Sequence, residues 1–504
     1  MMNELKVLKS GTDIRGVASD LFGGAVTLTD AAVFRIVCGF ADMLRQQFGD
    51  GLKVAVGHDC RISAGRIKKQ VIAALHSKDI AVFDCGLSST PAMFMTTVLA
   101  GMSAAVQITA SHHPADRNGL KFFLPSGGLD SAALDRVLDL AGQNAFDPAA
   151  EAAAEPLPFM DTYCAHLRQI ICRGLQKSEQ TKPLAGFHIV VDAGNGVGGF
   201  YAEKVLQPLG ADISGSVFLE PDGRFPNHIP NPENAEAMAS ISAAVRAAHA
   251  DFGVIFDTDV DRAACVDAEG REINRNRLIA LAAAIVLEKE PGSTIVTDSV
   301  TSDGLHAFIT ALGGRHHRFK RGYKNVIDEA LRLCQSGENA PLAIETSGHA
   351  ALKENYFLDD GAYLVTKLIL RFAELRAEGK TLESLIDTLQ TPAEEKEIRF
   401  AITTPDFKTY GKTVLQKLEQ FAAQNPEWQI APDNFEGLRV ATREGFFLLR
   451  MSVHDPIMPF NLESNAPGGI QRMLKALLPF FRSCDELDLS PLLHELQSAP
   501  AAQL

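Results

Sequence analysis

Long hydrophobic runs are missing from this 504-residue chain. The longest, Leu278 to Leu287, falls far short of the roughly 20 apolar residues a membrane-spanning helix needs. The opening Met-Met-Asn-Glu-Leu-Lys holds no apolar signal stretch. The expectation is therefore a cytoplasmic protein with no membrane partner. Positive charge is also short: 48 Lys and Arg stand against 62 Asp and Glu, a formal net charge of −14. Affinity for a nucleic-acid backbone depends on Lys and Arg neutralising phosphates, so no nucleic-acid partner is expected. A local basic pocket for one small phosphorylated ligand is still compatible with that balance. The eight cysteines (Cys38, Cys60, Cys85, Cys164, Cys172, Cys265, Cys334, Cys484) form no CxxC pair and have no His partners at zinc spacing. They read as reduced thiols, mostly in the core.

What is present is an ordinary globular composition, 46% hydrophobic and 22% charged. At roughly 150 residues per domain, the length implies about three or four domains. Three short β-rich runs end in Asp or a Gly-rich turn: Val54 to Asp59, Ile189 to Gly194 and Thr294 to Asp298. Each precedes an amphipathic stretch of helical length, the pattern of α/β units around parallel or mixed sheets. The Ala-, Glu- and Pro-rich segment Asp147 to Pro158 reads as a linker or surface loop. A second shift, at Thr391 to Lys396, follows a predicted helix with Leu382, Leu385, Ile386 and Leu389 on one face and Thr381 as its N-cap. Beyond it, strand-like Glu397 to Ile402 and Glu444 to Arg450 flank a helical middle, a smaller α+β domain. The tail Ser498 to Leu504 is expected to fray.

Four stretches carry chemistry. In Asp257-Thr-Asp259-Val-Asp261-Arg262, three carboxylates alternate just after an apolar run. If the strand ends before Asp257, a loop can wrap all three around a hard cation such as Mg²⁺; an acidic turn is the plain alternative. An EF-hand is excluded, because its Gly and Glu positions hold Arg262 and Ala268. A haloacid-dehalogenase-like phosphatase fits weakly, since Asp261 stands where Thr or Val is wanted. In Ala110-Ser111-His112-His113-Pro114, an apolar run delivers a hydroxyl and an imidazole to a loop, and Asn118-Gly119 is predicted to turn the chain so that Lys121 returns nearby. That trio suits a phosphoryl-accepting nucleophile, and the lack of a Gly-x-Ser-x-Gly elbow disfavours a serine hydrolase. Glu345-Thr-Ser347-Gly-His349 offers an acceptor, a hydroxyl and an imidazole for vicinal sugar hydroxyls. Arg450, Ser452 and His454 alternate and can each reach one phosphate, Arg through a bidentate fork.

Taken in order, these four stretches resemble the loops of the α-D-phosphohexomutases: a serine loop, an Asp-x-Asp-x-Asp-Arg metal loop, a Glu-x-Ser-Gly-His sugar loop and an Arg-x-Ser phosphate loop. Ser10 to Gly16, Asp59-Cys-Arg61, Asp192 to Gly196, Pro221 to Asn227 and Gly322-Tyr-Lys324 add supporting matches. The resemblance implies three similar α/β domains with mixed sheets plus a smaller C-terminal α+β domain around a central cleft, placed at residues 1–158, 159–272, 273–391 and 392–504.

The resemblance further implies that Ser111 carries the transferred phosphate and that Mg²⁺ is held by Asp257, Asp259, Asp261 and an oxygen of phosphoserine. It implies an intramolecular phosphotransferase that interconverts 1- and 6-phosphates of mannose and/or glucose, with hexose 1,6-bisphosphate as intermediate and activator. Arg15, His112, Lys121 and Arg262 are expected to stabilise charge or move protons near Ser111. Lys324 and His349 are expected on the substrate side or as general base. Glu345 and Ser347 would recognise the sugar, and Arg450, Ser452 and His454 the phosphate that is not reacting. The basic residues should converge on the cleft, in a monomer or homodimer whose partners are small hexose phosphates. Two departures stand out. His113 replaces the usual Asn, and Val453-His454 replaces a Gly/Asn-Thr pair, which leaves room for a non-catalytic or weakly active sugar-phosphate-binding paralogue.

Overall fold

The computed structural model of the chain describes residues 2–21, 23–452 and 455–497. His454 and the tail Ser498 to Leu504 lie outside the described residues. The chain divides into two compact units, Met1–Ala282 with Ser347–Leu385, and Ala283–Thr346 with Ile386–Leu504. No helix among the described residues is long and apolar enough to cross a membrane.

The first unit contains two mixed sheets. In the larger, strand Lys53–His58 lies parallel to Ala81–Leu87 on one side and to Ala104–Ile108 on the other. Ala104–Ile108 then pairs antiparallel with Arg117–Leu124, which pairs antiparallel with Asp13–Val17. Val54 and Val56 point into a core closed by helices Asp30–Phe48, Ala64–His76 and Ser131–Ala141. Gly57 faces Met93 of helix Thr90–Leu99, against which a Cβ would clash. Most of Asp147 to Pro158 is irregular, as expected, although Glu155–Pro156 adds a short strand beside Ala81–Leu87.

The smaller sheet has Phe252–Phe256 at its centre, parallel to Ile189–Asp192 and antiparallel to Ala263–Asp267. Helix Ala235–Ala248 covers it through Ala237, Met238, Ile241 and Val245. The stretch after Ile189–Asp192 is a π-helix, Tyr201–Leu206, running into a 3₁₀ turn, Gln207–Leu209, where an ordinary amphipathic helix was expected. Pro208 has no N–H to continue an α-helical ladder.

In the second unit, Thr294–Asp298 runs parallel to both Arg315–Phe319 and Leu342–Ile344. A five-stranded antiparallel sheet follows, ordered Glu394–Ala401, Ile457–Ser464, Gly445–Leu449, Leu438–Ala441, Gln429–Ile430. Helices Phe407–Ala423 and Gly469–Phe481 pack on it around Phe400, Phe447, Phe460 and Phe481. The helix expected around Leu382 to Leu389 is only a 3₁₀ turn, Glu383–Ile386. Four apolar residues at helical spacing cannot sustain a helix that ends within a few residues of Pro392.

All eight cysteines are free, five of them buried. They are the reduced, mostly core thiols that their scattered spacing implied.

Candidate active site

Ser111 sits three residues beyond Ala104–Ile108, in a turn that leads into Arg117–Leu124. It is buried and holds φ at 50°, the left-handed region that residues with a Cβ seldom occupy. The turn falls earlier than expected. Asn118 and Gly119 lie inside the strand, and Gly119 is there because a Cβ would come 2.1 Å from the Ile14 carbonyl oxygen of the neighbouring strand. Lys121 is still brought back beside the loop, since it pairs in register with Gln107.

The strand carrying the acidic motif ends at Phe256, and the loop begins at Asp257. Val260 adopts φ 67°, and the Asp257 N–H donates to the Arg262 carbonyl, so the five residues curl tightly. Oxygens of Asp257, Asp259 and Asp261 come within 4.8 Å of one another, and all three side chains are buried. Asp259 Oδ1 and Asp261 Oδ1 have no hydrogen-bond donor among the described residues. Buried carboxylate oxygens without donors are costly unless a cation meets them, so this donor set fits a hard divalent ion.

The two loops meet. The Ser111 hydroxyl donates to Asp257 Oδ2 at 3.0 Å, and Arg262 Nη2 donates to Ser111 Oγ at 3.3 Å and also to His112 Nδ1. Arg262 Nε lies 3.3 Å from Asp257 Oδ2. Lys121 pairs with Asp261 and lies 3.5 Å from Asp259. Arg15 donates to the Ala110 carbonyl and is held by Asp13 at 2.8 Å. His349 Nε2 reaches to 3.7 Å from Asp261 Oδ1 and 3.6 Å from Asp359 Oδ2, while its Nδ1 meets the Ser347 hydroxyl at 2.9 Å.

The electrostatics follow from this crowding. Burial, reinforced by the charges of Asp261 and Asp259, raises Asp257 well above the usual carboxylate range. Burial pushes the same way at Asp261 but is outweighed by Lys121 and Arg262, which hold it below that range. Burial, with Arg262 next, drives His112 far down, and burial with Arg15 takes His113 to about 3. Both imidazoles are neutral at physiological pH.

Other sequence-derived residues lie in the second unit. Glu345 Oε1 accepts the Gly322 N–H at 2.6 Å, and Lys324 pairs with Asp328. Among the described residues Arg450 makes only long ion pairs, 3.6 Å to Glu436 and 3.8 Å to Glu397, and its buried Nε has no hydrogen-bond partner. Such an arginine keeps donors in hand for an anion. The Ser452 hydroxyl accepts the Asp455 N–H at 3.2 Å.

Sequence reasoning passed over several residues. Glu436 accepts from the Ser299 hydroxyl at 2.6 Å and the Arg321 N–H at 3.0 Å, and Arg321 Nε lies 3.5 Å from Asp298. Thr90 binds Asp259, and Asp359 abuts His349. Thr90-Pro91 and Asp359-Asp360-Gly361 are visible as cap and turn signals, but nothing in their spacing ties them to loops far away in sequence.

Three family models match the chain in order: phosphoglucomutase/phosphomannomutase alpha/beta/alpha domain I over residues 8–144, domain II over 161–270 and domain III over 274–392. The chain belongs to the α-D-phosphohexomutase family. It is 29% identical over 466 residues to a phosphoglucomutase of Neisseria gonorrhoeae, covering 92% of this chain and 94% of that one. With a phosphomannomutase/phosphoglucomutase of Pseudomonas syringae it shares 30% over 425 residues, 83% and 85% of the two chains. The crystal structure of a phosphoglucomutase/phosphomannomutase family protein from Burkholderia thailandensis superposes with a TM-score of 0.79 at 25% identity, covering 96% and 98%. The architecture is thus three α/β/α domains with mixed sheets and a fourth, sheet-rich C-terminal domain, and the chemistry of the phosphohexomutase is that of an intramolecular phosphotransferase.

Proposed function

We propose that this phosphohexomutase interconverts the 1- and 6-phosphates of glucose and/or mannose by way of phosphorylated Ser111 and a hexose 1,6-bisphosphate. The observation that carries the reading is the meeting at Ser111 Oγ of Asp257, Arg262 and His112, with two donor-less carboxylate oxygens beside them. Phosphoryl transfer asks mainly for positioning and neutralisation of charge.

In the first half-reaction the bond from phosphorus to Ser111 Oγ breaks and one to a sugar hydroxyl oxygen forms. The proton lost by that hydroxyl is balanced by the one Ser111 regains when its phosphate has gone. The bisphosphate then turns over and returns its other phosphate to Ser111. In this second half-reaction the bond from phosphorus to the other sugar oxygen breaks and the one to Ser111 Oγ re-forms, with the proton moving the opposite way. Asp257, Asp259 and Asp261 would hold Mg²⁺, which when bound neutralises phosphate charge. Arg262 and Lys121 supply fixed positive charge at Ser111, Arg15 braces the loop at Ala110, and neutral His112 sits 3.3 Å from the hydroxyl as a hydrogen-bonding and proton-transfer group. His349 and Lys324 serve as substrate contacts or as the base for the sugar hydroxyl. Glu345 and Ser347 bind hydroxyls that look alike in both sugar orientations, and Arg450, Ser452 and His454 hold the distal phosphate. The four domains are taken as residues 1–158, 159–272, 273–391 and 392–504.

The test is a coupled assay with glucose 1-phosphate and mannose 1-phosphate, Mg²⁺ and a trace of hexose 1,6-bisphosphate. Wild type should turn over at least one sugar phosphate and Ser111→Ala neither. A wild type inert on every hexose phosphate would instead mark a sugar-phosphate-binding paralogue.

A further inference from the structure

The loop that carries Ser111 is gripped by side chains to which the mechanism above gives no part. Arg61 is 2% exposed, and its guanidinium is spent almost wholly on the backbone of that loop. Nη1 donates to the carbonyl oxygens of Pro114 (2.6 Å) and Arg117 (2.9 Å), and Nη2 to those of His113 (2.6 Å) and Ser111. Nε donates to Asp59 Oδ2 at 3.2 Å, and the Phe225 ring covers the guanidinium carbon at 5.3 Å.

Asp59, fully buried, ties this arginine to the other end of the loop. Its Oδ2 accepts the Thr109 hydroxyl at 2.7 Å, and Thr109 Oγ1 in turn accepts the Ser111 N–H at 2.9 Å. A hydroxyl can donate once and accept at the same time, so Thr109 completes the circuit. Ser111 is therefore held at both its N–H and its carbonyl, which is what a left-handed residue with a Cβ requires if it is not to relax. Only a planar fork of several donors can serve four carbonyls at once, and an ammonium cannot.

We propose that Arg61, Asp59 and Thr109 form a positioning clamp that fixes the left-handed backbone of Ser111 and thereby aims its Oγ for phosphoryl transfer. The clamp rests on the reading of Ser111 as the phosphate carrier. It touches no reacting atom, and it acts on the transfer rate while leaving sugar recognition alone.

Thr109→Val keeps the shape of the side chain and removes the hydroxyl, and Thr109→Ser restores it. In Thr109→Val, single-turnover phosphorylation of Ser111 by hexose 1,6-bisphosphate and steady-state kcat should both fall by about tenfold to a hundredfold, with KM for the hexose 1-phosphate within about twofold. Hydrogen exchange at the Ser111 amide should quicken, since its acceptor is gone. Thr109→Ser should recover most of the rate, and Arg61→Lys should lose more than Thr109→Val. Wild-type phosphorylation rates in Thr109→Val and Arg61→Lys would overturn the clamp. So would a loss in Thr109→Ser equal to that in Thr109→Val, or a rise in KM with kcat unchanged. Ser111→Ala, run alongside, separates the two claims: full turnover there removes the nucleophile itself, whereas an inert Ser111→Ala beside an undisturbed Thr109→Val removes the clamp alone.

Discussion

Thr90 holds Asp259 twice, its backbone N–H donating to the Asp259 carbonyl oxygen at 2.9 Å and its hydroxyl donating to Asp259 Oδ2. Thr90 opens helix Thr90–Leu99, capped by Ser89, so the Asp259 carboxylate is oriented by a rigid element from elsewhere in the sequence. The double contact uses one carboxylate oxygen and leaves Oδ1 for a cation. Outer partners of this kind typically contribute about 10- to 100-fold in metal affinity or activity. Thr90→Val should therefore weaken Mg²⁺ binding by about tenfold or more, measured by titration calorimetry, and, as for any lost buried donor, cost about 1–3 kcal/mol in stability.

Gly348, between Ser347 and His349, is a second point of constraint. It has φ +94°, and a Cβ there would lie 2.7 Å from the Ala263 carbonyl oxygen. The neighbouring bridge between Arg262 and His349 depends on that approach. Gly348→Ala should cost about 1–3 kcal/mol in chemical denaturation and lower kcat/KM by pushing His349 away from Asp261.

Buried Tyr163 donates its hydroxyl to Asp360 Oδ1 at 2.7 Å, and Asp360 caps helix Gly361–Ala377 by accepting the Tyr363 N–H at 2.8 Å. Burial carries the Asp360 carboxyl up to about 6 even with these donors, which favour its charged form. Tyr163→Phe removes one of them and should destabilise the fold by about 1–3 kcal/mol, read from urea unfolding.

Glu463 supplies a pH signature in the second unit. Burial raises its carboxyl to about 7, against the Asp303 N–H and the Arg439 charge, which lower it; Asp303 and Glu395 add like charge. The folded state thus binds a proton that the unfolded state releases near 4.5. Stability is lost as pH rises from that value through about 7. Glu463→Gln should gain thermal midpoint relative to wild type as pH goes from 5 to 8, and a difference that is flat across that range would contradict the assignment.

The sequence made local chemistry legible and long-range company illegible. Asp257, Asp259 and Asp261 are recognisable because they lie within five residues, and the end of their strand at Phe256 follows from where the apolar run stops. Ser111 and His112 are legible for the same reason, and Lys121 because it lies only ten residues further on. The turn between them was misplaced because Asn-Gly signals a tight turn by itself, whereas Gly119 here answers to a neighbouring backbone at Ile14. Thr90, Asp59 and Arg61 act across distances in sequence that no period records, and Arg61 was visible only as part of a matching motif. The 3₁₀ turn at Glu383–Ile386 shows the converse, helical spacing with too little packing to extend it.

In the proposed reaction every transferred phosphate passes through Ser111. The most direct measurement is to load the enzyme from radiolabelled hexose 1,6-bisphosphate, locate the label by peptide mapping, and chase with unlabelled glucose 1-phosphate or mannose 1-phosphate in the presence of Mg²⁺. The label should sit on the peptide containing Ser111, be absent from Ser111→Ala, and move quantitatively into the sugar during the chase. A label that stays on the protein, or one that reaches the sugar from Ser111→Ala at the wild-type rate, would contradict the account.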